Sequence, residues 1–226
     1  MPIGRRSLTS RRVRGALLAG ALLAGAAAPA GAADVEATVR DDKGKPVEEA
    51  VVYLVAAGGT PVTSAPGRPA LMDQQNKEFT PYVLALQAGT AVSFPNNDNV
   101  RHNVYSVSAA KRFELPLYAG TPAAPVVFDK PGVVVLGCNI HDWMLAYVYV
   151  LTTPLFAKTG ADGRAHVRNL GAGSYEARVW HPRLRDEPAK TGQSLTLGAA
   201  DTARVSFPVR LKREWRPLRR DRGEGY

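Results

Sequence analysis

Residues 133–150, VVVLGCNIHDWMLAYVYV, decide the fold predicted for this chain. The run at 133–136 is continuously apolar, as in a strand buried in the interior of a sandwich, and residues 146–150 alternate with the period of two that is typical of a strand. Between them lies a short loop that contains Cys138, His141 and Met144. The stretch therefore predicts two strands joined by a loop of chemically reactive side chains.

The remaining sequence extends this pattern of short strands. Its 226 residues include 21 glycines and 17 prolines, which recur at short intervals, as turn residues do in β-proteins. No segment after the N-terminal region keeps a helical period over the length of an ordinary helix. A composition of 45% hydrophobic and 22% charged residues excludes collagen-like, coiled-coil and disordered chains. We predict an all-β protein.

The formal net charge of +9 is confined to the two ends of the chain. Residues 1–33 contain five arginines and no acidic residue, and residues 210–226 carry a net charge of +4, so residues 34–209 are neutral overall. A nucleic-acid-binding face requires clustered Lys and Arg on the folded domain. The charge distribution therefore argues against nucleic acid as a partner.

The N-terminal segment is typical of an export signal. Basic residues precede an apolar stretch at residues 16–28, and small residues follow at 30–33. We expect residues 1–33 to be cleaved and the mature protein to be periplasmic, and the pattern leaves general and twin-arginine export open. No later apolar run approaches the ~20 residues of a membrane-spanning helix, so no membrane span is expected.

The loop after residue 137 contains closely spaced metal-ligand types. Two residues separate Cys138 from His141 and His141 from Met144, and His102 lies 36 residues before Cys138. One thiolate and two imidazoles, with a thioether as a weak axial ligand, are the donors of blue-copper electron-transfer sites. Zinc is the alternative metal, although structural zinc sites do not use thioethers. A third interpretation is that these side chains are unliganded.

The single cysteine adds to this pattern. Cys138 cannot form an internal disulfide, and a free thiol in an oxidising compartment is prone to oxidation or cross-linking. A bound metal would protect it, whereas the alternative is a buried inert thiol. The combination predicts one bound copper ion.

These residues resemble the cupredoxin family, and the spacing of the ligand loop is similar to that of amicyanin. Residues 92–98 and 101–104 resemble the family's first-ligand segment, and residues 113–144 include segments similar to methylamine utilization or plastocyanin-like proteins. The resemblance covers residues 70–152 and implies an eight-stranded Greek-key sandwich with one type 1 copper ion. Leu136 and Gly137 depart from the many cupredoxins that have an aromatic residue two positions before the cysteine.

The resemblance also implies roles for individual residues. Asn103 would tie the first-ligand strand to the ligand loop, and the ring edge of His141 would be the electron port. The implied metal ligands are His102, Cys138, His141 and Met144. The implied docking residues around the port are Ile140, Trp143 and Pro95.

The two flanks resemble a different kind of domain. Residues 39–54 and 159–180 are similar to the early and later strands of carboxypeptidase-regulatory-like or transthyretin-like domains. Neither flank alone has enough strands to bury a core, so we predict one small immunoglobulin-like sandwich built from both, with the copper domain inserted in it. The alternative is a serial arrangement in which the N-terminal flank pairs onto the copper domain. The predicted boundaries are a signal at 1–33, flanking strands at 34–66 and 153–211, a copper domain at 70–152 and a basic mobile tail at 212–226.

The sequence thus predicts a single-electron carrier with another redox protein as its partner, and not an enzyme. Copper delivery or storage is the alternative function. An enzyme with Cys138 as nucleophile and His141 as base lacks an identifiable oxyanion donor or substrate pocket and leaves Met144 unexplained. His166 and His181 are expected to have surface or packing roles.

Overall fold

The computed structural model describes residues 32–58, 68–122 and 124–213, together with Met1. Regular structure in these residues is almost entirely β, which confirms the predicted all-β class. Most of the predicted signal and most of the predicted tail lie outside the described residues. The elements are β1 (Ala33–Asp41), β2 (Val51–Ala56), β3 (Ala70–Leu71), β4 (Asp73–Gln75), β5 (Glu78–Thr80), β6 (Val83–Gln87), β7 (Thr90–Ser93), β8 (His102–Ser108), β9 (Lys111–Tyr118), β10 (Val126–Phe128), β11 (Gly132–Gly137), β12 (Leu145–Leu151), β13 (Phe156–Lys158), β14 (Arg164–Leu170), β15 (Gly173–Trp180), a 3-10 helix (Pro188–Thr191), β16 (Gln193–Leu197) and β17 (Thr202–Val209).

Two sheets form the sandwich between residues 70 and 151, here called the central sandwich. One sheet has the strand order β6-β12-β11-β8-β9, and the other has the order β10-β7-β3. Side chains from both sheets pack into one core that includes Val92, Phe128 and Leu136. The chain crosses between the sheets after β6, β7, β9 and β10, so strands far apart in sequence become neighbours.

Strands from both sides of this segment form a second sandwich, here called the flanking sandwich. Its sheets have the orders β14-β1-β17 and β13-β2-β15-β16, and they share a core. Strand β1 runs parallel to β17, from Asp34 opposite Thr202 to Asp41 opposite Val209. In the described part of the chain, β2 pairs with β13 and β15 and with no strand of the central sandwich. The central sandwich is therefore inserted between β2 and β13.

A third core joins the two sandwiches. Side chains on the outer face of β6 and β12 pack against those of β2 and β15. Tyr149 stacks on Trp180 with ring centroids 4.4 Å apart, and Tyr53 contacts Tyr149 edge-on at 5.8 Å. Each such aromatic pair contributes about 0.5–1.5 kcal/mol beyond the area that it buries. The second half of β12 is consequently buried on both faces.

Strand β11 differs from its prediction. The continuous apolar run at 133–136 predicts burial of both faces, but only Val134 and Leu136 are buried, whereas Val133 and Val135 are 36% and 39% exposed. The third core covers the outer face of β6 and β12, and β11 lies beyond that cover. The prediction of a strand wholly inside the sandwich is therefore wrong for one face of β11.

The buried His181 makes the stability of the fold depend on pH. Burial, followed by repulsion from Arg183, lowers the pKa of His181 to about 4, and its Nδ1 accepts the backbone N–H of Arg183 at 3.1 Å. Because the folded pKa is depressed, protons bind first to the unfolded chain as the pH falls below 6.5. We expect the free energy of unfolding to fall by roughly 2 kcal/mol between about pH 7 and pH 4.5 on this account. In His181→Asn this part of the pH dependence should disappear in denaturant titrations.

His166 provides the matched control, because its side chain is exposed on β14. His166→Asn should retain the wild-type pH dependence. Equal profiles for wild type and His181→Asn would show that another group titrates in this range.

Candidate metal centre

The sheet order brings the predicted ligands together. Strands β11 and β8 are antiparallel neighbours, and Gly137 at the end of β11 lies opposite Tyr105 in the middle of β8. His102 begins β8, and Cys138 directly follows β11. This juxtaposition explains how two residues 36 positions apart in sequence reach one site.

Three donor atoms form a compact cluster. The ligand atoms of His102, Cys138 and His141 all lie within 4.8 Å of one another. Nδ1 of His102 lies 4.0 Å from the Sγ atom of Cys138 and 3.1 Å from Nδ1 of His141. Metal–nitrogen and metal–sulfur bonds of about 2.0–2.3 Å place donor atoms about 3–4.5 Å apart, so both of these separations from His102 fit a single metal ion.

Most of the cluster is shielded from solvent. His102 is fully buried and Cys138 is 4% exposed, while His141 is half-buried. Met144 is buried in the same core as Cys138, and its backbone N–H donates to the carbonyl of His141 at 2.9 Å. The loop thus turns tightly enough to return Met144 to the core that also contains Cys138.

A carboxylate that the sequence analysis did not identify supports His102. Nε2 of His102 donates to Oδ2 of Asp98 at 2.8 Å, which leaves Nδ1 to face the cluster. A metal-ligating histidine commonly donates its other ring nitrogen to a carboxylate, and this contact fixes the orientation of the ring. The signal for this contact in the sequence was the position of Asp98, which lies four residues before His102 in an Asn/Asp-rich turn.

The charges of the cluster favour a thiolate. Burial favours the neutral thiol of Cys138, but hydrogen bonds from His102 and from backbone N–H groups outweigh it, so the pKa of Cys138 is lowered. Burial also opposes protonation of His102, yet Cys138 and Asp98 together raise its pKa. Burial and then repulsion from His102 lower the pKa of His141. A thiolate and a neutral imidazole are the ligand forms that a metal ion requires.

Asn103 connects the two ligand-bearing segments. Its Oδ1 accepts the backbone N–H of Asn139 at 2.8 Å, and its side chain is buried. This contact joins the start of β8 to the residue after Cys138. It is the kind of link that the resemblance implied for Asn103.

Gly137 leaves room for the aromatic ring of Tyr105. A Cβ added at Gly137 would lie 2.8 Å from Cζ of Tyr105, closer than real carbon atoms approach. The aromatic residue that many cupredoxins have shortly before the cysteine is absent from this chain. The ring of Tyr105, on the neighbouring strand, packs against Gly137, the residue before Cys138.

The predicted docking residues differ in exposure. Ile140 is 50% exposed, and Trp143 is half-buried with its ring centroid 5.1 Å from that of His141. Pro95 is buried, and its carbonyl accepts the backbone N–H of Gln74 at 3.1 Å. Its place in a docking collar is therefore a wrong prediction, because Pro95 helps to anchor a neighbouring hairpin within the molecule.

The two remaining histidines lie in the flanking sandwich. His166 is exposed on β14, and His181 is buried directly after β15. Neither belongs to the cluster of donor atoms found among the described residues.

No protein-family model and no curated protein matches the sequence. Among solved structures, a purple cupredoxin from Nitrosopumilus maritimus is 26% identical and aligns over 36% of this chain and 99% of its own, with a TM-score of 0.33. A copper-containing nitrite reductase from Thermus scotoductus is 23% identical over 50% of this chain, which spans 28% of that protein, with a TM-score of 0.35. A reduced amicyanin variant is 19% identical over 46% of this chain and 100% of its own, with a TM-score of 0.33. The function proposed below depends on the donor atoms and the strand order, and not on these likenesses. The likeness of the flanks to carboxypeptidase-regulatory-like domains stays a prediction.

The role of Asn103 can be tested without metal. Asn103→Ala removes the acceptor of the Asn139 N–H, so we expect the free energy of unfolding of the metal-free protein to fall by roughly 1–2 kcal/mol. Asn139→Ala is the control, because the Asn139 side chain is exposed and only its backbone takes part. Its cost should stay within about 0.5 kcal/mol. Equal losses in the two variants, measured by denaturant titration, would contradict the proposed link.

Proposed function

We propose that this protein is a periplasmic type 1 copper protein that carries single electrons between redox partners. The observation that carries the proposal is the buried cluster of one thiol and two imidazoles, whose donor atoms lie within 4.8 Å of one another. His102 begins β8 and Cys138 directly follows β11, and these strands are neighbours in a packed sandwich. The fold itself therefore holds these donors in place.

The donor set favours copper over zinc. Two imidazoles and a thiolate with a nearby thioether suit copper electron-transfer sites, whereas structural zinc sites take Cys, His and carboxylate ligands. His102, Cys138 and His141 would hold the ion, and Met144 would supply the weak thioether ligand. Copper bound there would exchange one electron at a time between Cu(I) and Cu(II).

The protein's own contribution is to keep the ligands still. Asp98 fixes the ring of His102 through a 2.8 Å hydrogen bond, and Asn103 fixes the loop after Cys138. The two oxidation states of copper prefer different geometries, so ligands held by the fold limit the rearrangement that each electron transfer requires. Such outer contacts also tune the properties of the metal.

His141 offers the route between this buried site and a partner. It is the half-buried member of the cluster, and the exposed Ile140 precedes it. A small apolar surface suffices, because weak redox encounters bury little area. We propose Ile140 and the accessible edge of Trp143 as the docking residues for a redox protein.

Copper delivery is the alternative, and retention of the metal separates the two functions. A carrier should keep its copper through repeated oxidation and reduction, whereas a delivery protein should release it to a competing chelator. Burial of His102 and Cys138 supports retention of the metal.

We do not propose an enzyme, since Met144 and the enclosed thiol are better explained as parts of a metal site.

The proposed periplasmic location depends on the segment at 1–33, most of which lies outside the described residues. Within the described residues, no helix has the length and apolar character needed to cross a membrane.

Cys138 is the decisive ligand to test. Copper titration of the mature protein should produce an intense visible band from thiolate-to-copper charge transfer, and Cys138→Ser should abolish it, because a hydroxyl does not replace the thiolate. Ser106→Ala, at a buried position on β8 outside the ligand set, is the control and should keep the band. A colourless wild-type protein, or an unchanged spectrum in Cys138→Ser, would overturn the proposal.

Met144→Leu tests the assignment of Met144 as a weak ligand. Leucine keeps the apolar volume in the core but removes the sulfur, so copper should stay bound while the reduction potential changes. Voltammetry of the loaded protein measures this shift. An unchanged potential would remove Met144 from the ligand set, and complete loss of copper would mean that it is more than a weak ligand.

A further inference from the structure

A tight hairpin lies against the metal centre, here called the clamp hairpin and defined as residues 73–80. Gln75 pairs with Glu78, so only Asn76 and Lys77 form the turn between β4 and β5. Their φ values are 55° and 58°. A two-residue hairpin turn with positive φ at both positions is type I′, in which the peptide orientation of Lys77 is set by the turn.

The clamp hairpin reaches His102 through a carboxylate. The backbone N–H of Lys77 donates to Oδ2 of Asp98 at 2.6 Å, and the same oxygen accepts Nε2–H of His102 at 2.8 Å. One carboxylate oxygen therefore connects the turn to the buried imidazole.

The same residue reaches His141 by another path. The carbonyl of Lys77 accepts the indole Nε1–H of Trp143 at 3.0 Å. The Trp143 ring lies against His141, with centroids 5.1 Å apart and planes inclined by 54°. The N–H and the C=O of Lys77 thus contact the two segments that carry the two imidazoles.

The clamp hairpin is itself firmly anchored. Both carboxylate oxygens of Asp73 accept hydrogen bonds from Nδ2 of Asn97, at 2.9 and 3.0 Å. The backbone N–H of Gln74 donates to Pro95, and the backbone N–H of Asn97 donates to Gln74. Phe79 on the opposite strand is buried in the core of the central sandwich. The turn is therefore anchored to the core of the central sandwich as well as to the loop at residues 95–97.

We propose that the backbone of Lys77 in the clamp hairpin is a positioning element that holds His102 through Asp98 and His141 through Trp143. The inference rests on the proposed copper site and adds to it a residue whose side chain is not a ligand. Trp143 accordingly acts as a positioning residue, and its indole N–H matters as well as its apolar surface.

Trp143→Phe tests the contact to His141. Phenylalanine keeps a ring against His141 and the core but removes the N–H, so we expect copper to pass to a chelator roughly tenfold faster, with a changed reduction potential and the thiolate band retained. Glu78→Gln is the control, because it changes an exposed side chain of the same hairpin and should behave as wild type.

Lys77→Pro tests both contacts together. Proline has no N–H and its φ is fixed near −65°, so the turn cannot keep its geometry. Copper loss should be at least as fast as in Trp143→Phe. Lys77→Gly retains the N–H and readily adopts positive φ, so relative to Lys77→Pro it should restore slow copper loss.

A readout on the metal-free protein separates the clamp from the copper proposal. The Trp143 indole N–H should exchange slowly with solvent in wild type, and roughly tenfold or more faster in Lys77→Pro, as followed by NMR. If wild type binds no copper, the proposed function fails while the exchange experiment still decides the clamp. The proposed role of the clamp hairpin would be overturned if Trp143→Phe had the same rate of copper loss, the same potential and the same band as wild type, even if that variant were less stable. Unaltered indole exchange in a folded Lys77→Pro would also overturn it.

Discussion

The seam between β8 and β11 is the constraint on which the metal centre depends. Three contacts fix it at successive levels: Ser108 Oγ accepts the N–H of Val135 at 2.9 Å, Gly137 pairs with Tyr105, and Asn103 Oδ1 accepts the N–H of Asn139 at 2.8 Å. A slip of one residue would turn every side chain of a strand to the opposite face. It would then separate Cys138 from His102, so the register of one strand pair determines whether the site exists.

The flanking sandwich stabilises the opposite side of the ligand loop. The loop ends at β12, whose outer face is covered by the third core, including the stacked rings of Tyr149 and Trp180. The salt bridge between Lys158 and Glu49 lies at the same junction, and Lys158 Nζ also donates to the carbonyl of Val83. Because both faces of its second half are buried, β12 is difficult to displace. One end of the ligand loop is therefore fixed by the seam with β8, and the other by the contact between the sandwiches.

Side-chain chemistry was readable from the sequence, whereas backbone chemistry was not. Glycine, proline and period-two patterns predicted the β class, and the types and spacing of Cys138 and His141 predicted the donor set that the structure brings together. The contacts of Lys77 use its peptide group, and a peptide group is the same in every residue type. The exposure of Val133 and Val135 was hidden for a related reason, since an apolar run does not reveal which face a neighbouring unit covers. The burial of Pro95 likewise depends on a hairpin distant in sequence.

Electrostatics links the metal-free cluster to the ion that we propose it binds. Hydrogen bonds make Asp98 a stronger acid and favour a thiolate at Cys138, in both cases against the effect of burial. Two negative groups in an enclosed site require positive compensation, because an unpaired buried charge is strongly disfavoured. Cys138 and Asp98 accordingly raise the pKa of His102, although burial alone would lower it. A cation bound among the three donor atoms would supply positive compensation as well, so the contacts that raise the pKa of His102 also favour a metal ion.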